Sequence, residues 1–406
     1  MEHYDRRFVC APGWMENFQC IAGSCPETCC QQWNIDVDPE HAKFYTSLED
    51  PELQPVIDRL LRRFKIRRPG KREAELQFRL QLLSQPNRRC PILNEKGECR
   101  LQKKYGAYIL CDTCYFHPRN FWQIDERIFL SACLSCPECA RLALLHREPT
   151  SFTRFENEID PNAEWLETSE MGDPSARLLL QNRDALITEI CGILQNRQEA
   201  FEDRLSRVFV FFKRLAENGQ ADMTAIRTAA EASLSAGISA ILPKEPSDLM
   251  RCWVEVFDPV SDIVEKPVQD MAEFTRSFAG GGEGFVRLLA QRYTEGARIA
   301  DPFLVQNEHL LENFMVHCVF SDSFKQFSRY RNEPMLSVRE ILRHESALLR
   351  IWYLLLRIQL AKTALEQHAM NQELFLQTVI HADRSFWHYP DWFARIADRF
   401  INRSAQ

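Results

Sequence analysis

"CIAGSCPETCCQQWNIDVD", Cys20 to Asp38, places four cysteines within eleven residues, two of them adjacent. Thiols packed this tightly can be cross-linked, bind a metal or act as nucleophiles, and the remaining sequence chooses among these. Fifteen cysteines occur in 406 residues, and twelve of them precede residue 140. The first residues, "MEHYDRRFVCAPGW", lack a basic region followed by an apolar core, so no secretory signal is expected. No apolar run approaches the roughly 20 residues that span a bilayer; the longest conspicuous one, Ile351 to Leu356, is flanked by arginines. The expectation is therefore a cytoplasmic protein with reduced thiols and no membrane contact. A disulfide framework belongs to oxidising compartments. Thiol catalysis needs one or two activated cysteines rather than twelve. Metal binding remains.

Outward from that stretch the chain divides in texture. Residues 1–150 read as an irregular, cysteine-rich metal-binding module, and residues 151–406 as a larger helical body on which it packs; the fold class is mostly α. Asp38, Pro39 and Glu40 form a helix start, with a capping carboxylate, a proline at the first helical position and an acid in the first turn. A second helix is expected over Pro51 to Phe64, and a turn at Asn94 to Gly97 between Cys90 and Cys99. In the second half, Leu205, Val208, Phe209, Phe212 and Leu215 recur at helical spacing. "ESALLRIWYLLLRIQLAKTALEQ" (345–367) repeats that pattern, and the acidic stretch from Glu156 to Pro174 reads as a loop or linker. Strict alternation of the β type is scarce.

The remaining early cysteines fall as Cys90 and Cys99, Cys111 and Cys114, and Cys133, Cys136 and Cys139. Adjacent Cys29 and Cys30 are awkward partners for one tetrahedral zinc; one can serve a metal while its neighbour faces the core or a second site. Four thiolates suit structural zinc or an iron–sulfur cluster, and the spacing leaves both open. The C-x₃-C-x₂-C run of radical S-adenosylmethionine enzymes starts at Cys25 and Cys29 but meets Gln at position 32.

These residues carry a resemblance. The order C-x₄-C-x₃-CC-x₂-W-x-I-x-x-D, then "CPIL", "GECRLQKKYGAYIL", "HPR" and "LSCPECARL", is similar to the flagellin lysine N-methylases, which share their cysteine pattern with zinc- or iron-chelating cysteine-cluster proteins. "ENFMVHCVFSDSF" (312–324) and "FLQTVIHADRSFWHYPDWFARIADRF" (375–400) extend it. The resemblance implies methyl transfer from S-adenosylmethionine to lysine ε-amino groups of flagellin, with a [4Fe–4S] cluster on cysteines and zinc as the alternative. Its matching positions are Cys20, Cys25, Cys29, Cys30, Cys90, Cys99, Cys114 and Cys136, with Cys29, Cys90, Cys99 and Cys114 the first four chosen. Glu138, Arg141 and Arg119 are the candidate cofactor-binding residues; no catalytic residue is assigned. His117 stands where the family has Tyr, and Cys111, Cys133 and Cys139 are additional. A non-catalytic metal-binding or redox-sensing protein, with a helical partner-binding domain, is the alternative function.

Three other segments carry weaker signals. Arg59 to Arg72 holds eight cations and no acid, reading as a solvated amphipathic helix end or as a docking strip for an acidic partner. "FAGGGEGF" (278–285) follows a helical rather than a strand-like segment, so it is no dinucleotide fingerprint. "HADRSFWH" (381–388) reads as a helix end with aromatic packing, although Asp383 and Arg384 could serve acid–base chemistry. A net charge of -7 gives no reason to expect nucleic-acid binding.

Overall fold

Two β-sheets lie where the sequence reads as irregular. The computed structural model describes residues 4–31, 33–66, 75–237, 245–257, 283–325, 336–387, 396–398 and 401. Among the described residues the eight strands are β1 (Arg6–Pro12), β2 (Ile35–Val37), β3 (Leu61–Ile66), β4 (Glu75–Leu80), β5 (Arg119–Ile124), β6 (Arg127–Ala132), β7 (Phe152–Glu158) and β8 (Glu164–Leu166). A mixed sheet runs β7-β1-β6-β5-β8, and a small antiparallel sheet runs β2-β4-β3. The helices of this half are α1 (Pro39–Thr46), α2 (Gln54–Leu60), α3 (Arg100–Tyr105), α4 (Asp112–Phe116) and α5 (Pro137–Leu144).

Helix α1 starts as expected, with the Asp38 carboxylate accepting from the His41 amide. The second helix is shorter than expected: it stops at Leu60, and Leu61 onward is strand β3, paired residue for residue with β4 from Leu61–Leu80 to Ile66–Glu75. The cationic segment is thus a strand exposing Arg62, Arg63 and Lys65, not a helix end; its continuation at 67–74 lies outside the described residues. The acidic stretch taken for a linker supplies β8 and the end of β7, whose seven residues pair with β1 from Arg6–Glu158 to Pro12–Phe152.

The central strands β5 and β6 are covered on both faces, which explains why they show no polar alternation, whereas the outer strands expose Phe8, Phe152 and Trp165. Along β6, Phe129 faces one core while Ile128, Leu130 and Ala132 face another; along β5, Trp122 and Ile124 oppose Phe121 in the same way. The β5–β6 turn needs a left-handed residue, and Asp125 (φ 49°) fills it without glycine. Its carboxylate accepts from the Thr168 amide and hydroxyl.

The helical half comprises α6 (Pro174–Gln181), α7 (Arg183–Leu194), α8 (Phe201–Asn218), α9 (Met223–Ser235), α10 (Pro246–Phe257), α11 (Glu283–Gln306), α12 (Glu308–Asp322), α13 (Val338–Gln367) and α14 (Gln372–Ala382). The chain is mostly α. In α8 the expected stripe of Leu205, Val208, Phe209, Phe212 and Leu215 is buried. Its core is continuous with Trp122, Ile124 and Phe129 of the sheet, so sheet and helices share one interior. Gly296 of α11 lies against α13 so closely that a Cβ would stand 2.0 Å from the Ala361 carbonyl oxygen. The glycine-rich segment up to 282 lies outside the described residues. Among the described residues no helix is long and apolar enough to cross a membrane.

Candidate functional site

The early cysteines gather in two places. In the first, Cys90 and Cys111 are buried in the core beneath the small sheet, and Cys30, Cys99 and Cys114 pack against that same core. Local backbone pairing assembles them. The Cys90 amide donates to the Cys30 carbonyl (2.8 Å), and Gln31 bridges Arg89 beside it. Cys99 is returned towards Cys90 by the expected turn, where Leu93 bridges Cys99 and the Asn94 side chain accepts from the Lys96 and Glu98 amides. Gly97, at φ 76°, supplies the left-handed residue. Cys111 and Cys114 come from the start of α4, where the Tyr45 hydroxyl accepts from the Cys111 amide and donates to the Ile109 carbonyl. Burial raises the Cys90 thiol to about 12. It also raises Cys99, whereas the hydrogen bond from Cys114 lowers Cys111.

The second place adjoins the first, joined to it by the hydrogen bond between the Cys29 and Cys30 thiols. Cys25 donates its S–H to the Glu27 carbonyl (3.0 Å). The Glu27 carboxylate is held by Arg384 and by His381 Nε2 at 3.1 Å. Arg384 also donates to the Ser135 carbonyl (3.1 Å), one residue before Cys136. This bridge joins the Cys20–Cys29 loop to the start of α5. Cys25 feels the charges of Cys136 and Cys20, and Cys29 those of Cys30, Cys20 and Cys136. Hydrogen bonding from Cys29 brings the Cys30 thiol down to about 7, with Cys29 held protonated as the donor. Cys139 lowers Cys136 to about 7 in the same manner. Gly23 seats this loop against the Cys90–Cys99 turn: a Cβ there would stand 2.7 Å from the Lys96 carbonyl oxygen.

Beside the second group, the cysteine half meets the ends of α12 and α14. The Ser135 amide donates to the Asp383 carboxylate (2.7 Å). At the end of α12, buried Phe324 holds φ 59°, a left-handed conformation uncommon for so bulky a residue. The next residue, Lys325, places its ammonium 4.9 Å from the centre of the Trp122 ring. Burial raises the half-buried Asp322 carboxyl to about 7, and the carboxylates of Asp383 and Glu345 add to the rise, against Lys325 and Arg183. Fully buried Arg183 donates to the carbonyls of Phe320 (2.6 Å) and Ser323, satisfying the end of α12. Lys325 itself covers the fully buried Trp122 ring, and the half-buried Asp322 carboxyl beside it, near neutrality, is a group able to exchange a proton with an amine.

Residues 188–405 match the family model described as the FliB lysine N-methylase C-terminal domain, which covers more than half of the chain. The chain belongs to the FliB lysine N-methylase family. Three curated relatives align over 130 residues at 28% identity, 32% of this chain. They are the flagellar biosynthetic protein FliU of Salmonella muenchen, covered over 73% of its length, and the lysine-N-methylases of Salmonella choleraesuis and Salmonella typhimurium. The chain aligns with 31% of the length of each lysine-N-methylase. No solved structure matches. The FliB match spans Asp322, Lys325 and Asp383, three residues that sequence reasoning either passed over or left as a helix end.

The three proposed cofactor residues have structural partners. Arg141 forms a two-pronged ion pair with Glu138 one turn away, at 2.7 and 2.8 Å. Arg119 donates to the Tyr115 (2.6 Å) and Phe116 carbonyls and covers both rings, closing the end of α4. The His117 ring lies 5.5 Å from that of Trp33. Cys133 accepts from the Asn120 amide (3.2 Å), and burial raises it to about 12. Among the described residues, the metal-ligating side chains drawn within 4.8 Å of one another as a set of three are Asp38, His41 and Asp112. Their atoms are consumed by one another, by the Asp112 amide, by Tyr4 and by Asn162, which makes them a structural hydrogen-bond network.

Proposed function

We propose that this chain transfers methyl groups from S-adenosylmethionine to lysine ε-amino groups of flagellin and carries a [4Fe–4S] cluster on its cysteines. The family supports lysine methylation, and the flagellar name of one relative supports the substrate. The observation that carries the reading is the Lys325 ammonium on Trp122 beside an Asp322 carboxyl raised to about 7. A lysine ammonium, whose ordinary pKa is about 10.4, must lose its proton before it can attack. The half-buried Asp322 carboxylate is the group placed to accept that proton. The nitrogen then bonds to the methyl carbon as the carbon–sulfur bond breaks, the electron pair remaining on sulfur.

The cysteines fit a thiophilic centre. Cys30, Cys90, Cys99 and Cys114 offer soft ligands from three segments. A zinc tetrahedron with 2.3 Å Zn–S bonds needs sulfurs about 3.8 Å apart. Either this ion or a larger iron–sulfur core would draw these sulfurs around it on binding. When bound, such a cluster supplies one-electron chemistry and pins the three segments together.

The test is incubation of flagellin with S-adenosylmethionine and the anaerobically purified protein, read by mass spectrometry of flagellin peptides. Methyl increments on lysine that need both components support the proposal. Unmodified flagellin, alongside iron and sulfide at full occupancy, defeats it.

A further inference from the structure

We infer that strand β3 is a docking edge for an acidic, extended polypeptide segment, which adds to the small sheet beside Arg62, Arg63 and Lys65. The inference goes beyond the proposal above and needs neither methyl transfer nor a metal.

The backbone supplies the first observation. The small sheet ends at β3, whose paired neighbour among the described strands is β4. The Gln81 amide donates to the Leu60 carbonyl (3.0 Å), continuing the Leu61–Leu80 register, so residues 60, 62 and 64 are the ones bonded towards β4. Alternation then turns the amides and carbonyls of Arg63 and Lys65 to the open edge. At the start of the strand the Leu61 amide donates to the Ile57 carbonyl, and the Leu61 carbonyl accepts from the Arg62 guanidinium (3.0 Å). The backbone groups of Arg63 and Lys65 are left for an added strand.

Charge supplies the second. Arg62, Arg63 and Lys65 are exposed. Among the described residues none of them pairs with a carboxylate, whereas Arg79 of β4 is held by Asp36 (2.5 Å). This strip is cationic on a chain whose net charge is -7. Arg63 and Lys65 project to one face of the sheet and Arg62 to the other, so an incoming strand meets positive charge on both faces.

These two features select the occupant. A second copy of the chain is disfavoured, because like charges directly opposite each other destabilise a strand pair. Cations that keep β3 from pairing with itself favour a strand of the opposite sign. The aromatic ring of β3, Phe64, is already covered by the Arg79 guanidinium at 4.8 Å, which leaves a nucleic-acid base without a stacking platform on this strand. A polypeptide with Glu or Asp at every second residue sets its carboxylates opposite Arg63 and Lys65, while the amides and carbonyls of those same residues bond to the edge.

The experiment is fluorescence anisotropy with the full chain, purified without oxygen, and a fluorescein-labelled peptide that matches the six residues of β3 in length and alternates Glu with Thr. The same peptide N-methylated on every amide keeps the charge and loses the donors. Single-stranded DNA of equal charge is the third probe. Saturable binding of the Glu–Thr peptide is expected, weakened at least about tenfold by R62E/R63E/K65E and by N-methylation. Raising salt from about 0.1 to 1 M shortens the screening length from about 10 to 3 Å and should weaken binding to the wild type. That measurement is independent of how the triple variant folds, which far-UV circular dichroism checks.

Absence of binding overturns the inference. Equal binding of the N-methylated peptide overturns strand addition, and indifference to salt or to charge reversal overturns the cationic edge. Tighter binding of the DNA overturns the choice of partner.

Discussion

Replacing Asp322 by Asn should make the protein more stable and less active at the same time. Burial holds this carboxyl protonated to about pH 7, whereas in the unfolded chain it ionises near 3.8. Between those values the native state keeps a proton that the unfolded state has lost, so native stability falls as pH rises through this window and levels off above it. The cost at pH 8 is about 4 kcal/mol at most, from 1.36 kcal/mol per pKa unit. The groups facing Asp322 are Lys325, Arg183, Asp383 and Glu345, and none is removed by D322N. An unfolding entropy of roughly 2.1 cal/mol/K per residue over 406 residues converts that cost to about 5 °C in Tm. Differential scanning fluorimetry from pH 4 to 8 should show the variant gaining on the wild type as pH rises and matching it at pH 4. Methylation should fall by about 10²–10⁴-fold, the usual contribution of a positioned base. Equal pH slopes for the two proteins would refute the buried-carboxyl argument, and unchanged methylation would remove Asp322 from the chemistry.

Other perturbations have equally definite outcomes. Buried Glu312 binds Arg204 at 2.6 Å and Arg197 through both oxygens; E312L leaves Arg204 with Glu308 (2.9 Å) and the Leu194 carbonyl and should cost about 1.5–3 kcal/mol in urea unfolding. In G296A the new methyl meets the Ala361 carbonyl. A substitution that ordinarily gains about 1 kcal/mol in a helix should instead lose about 1–3 kcal/mol, visible as a lower urea midpoint. R183M leaves the Phe320 and Ser323 carbonyls without their donor and should cost about 3 kcal/mol by the same assay. For Asp38, burial acts upward, but hydrogen bonds from His41 and the Asp112 amide outweigh it and set the carboxyl to about 2; His41 is raised in turn against its own burial. The penalty of D38A should therefore be largest between about pH 4 and 6.5, shrinking as acid protonates Asp38 and as base neutralises His41, in a Tm-versus-pH comparison.

What could be read from the sequence was local. Asp38 and Pro39 announce α1 because a cap acts within one turn, and the α8 stripe is legible because one helix face suffices to define it. The mixed sheet was not legible: Ile128 to Ala132 are buried on both faces, so no polar alternation marks them. Leu61 to Ile66 resembles a helix by composition, and its pairing with β4 decides otherwise. At the site, residue type identified the cysteines, but the company each one keeps depends on contacts such as the Cys90 amide to the Cys30 carbonyl. Asp322 carries no signal of its own. Its acidity is set first by burial and then by Lys325, Arg183, Asp383 and Glu345, surroundings that only the folded chain brings around it.

The Glu27–Arg384 bridge has a bearing on the order of assembly. A ribosome delivers Cys20 to Cys29 early and Cys136 soon after, but the guanidinium that fastens their loop arrives only when α14 has been made and has docked. Until then the small sheet and its own cysteines can close on themselves, while the neighbouring loop has nothing to hold it. The closure of that loop is thereby a report on the whole chain: a product arrested before residue 384 would have its small sheet formed and this loop unfastened.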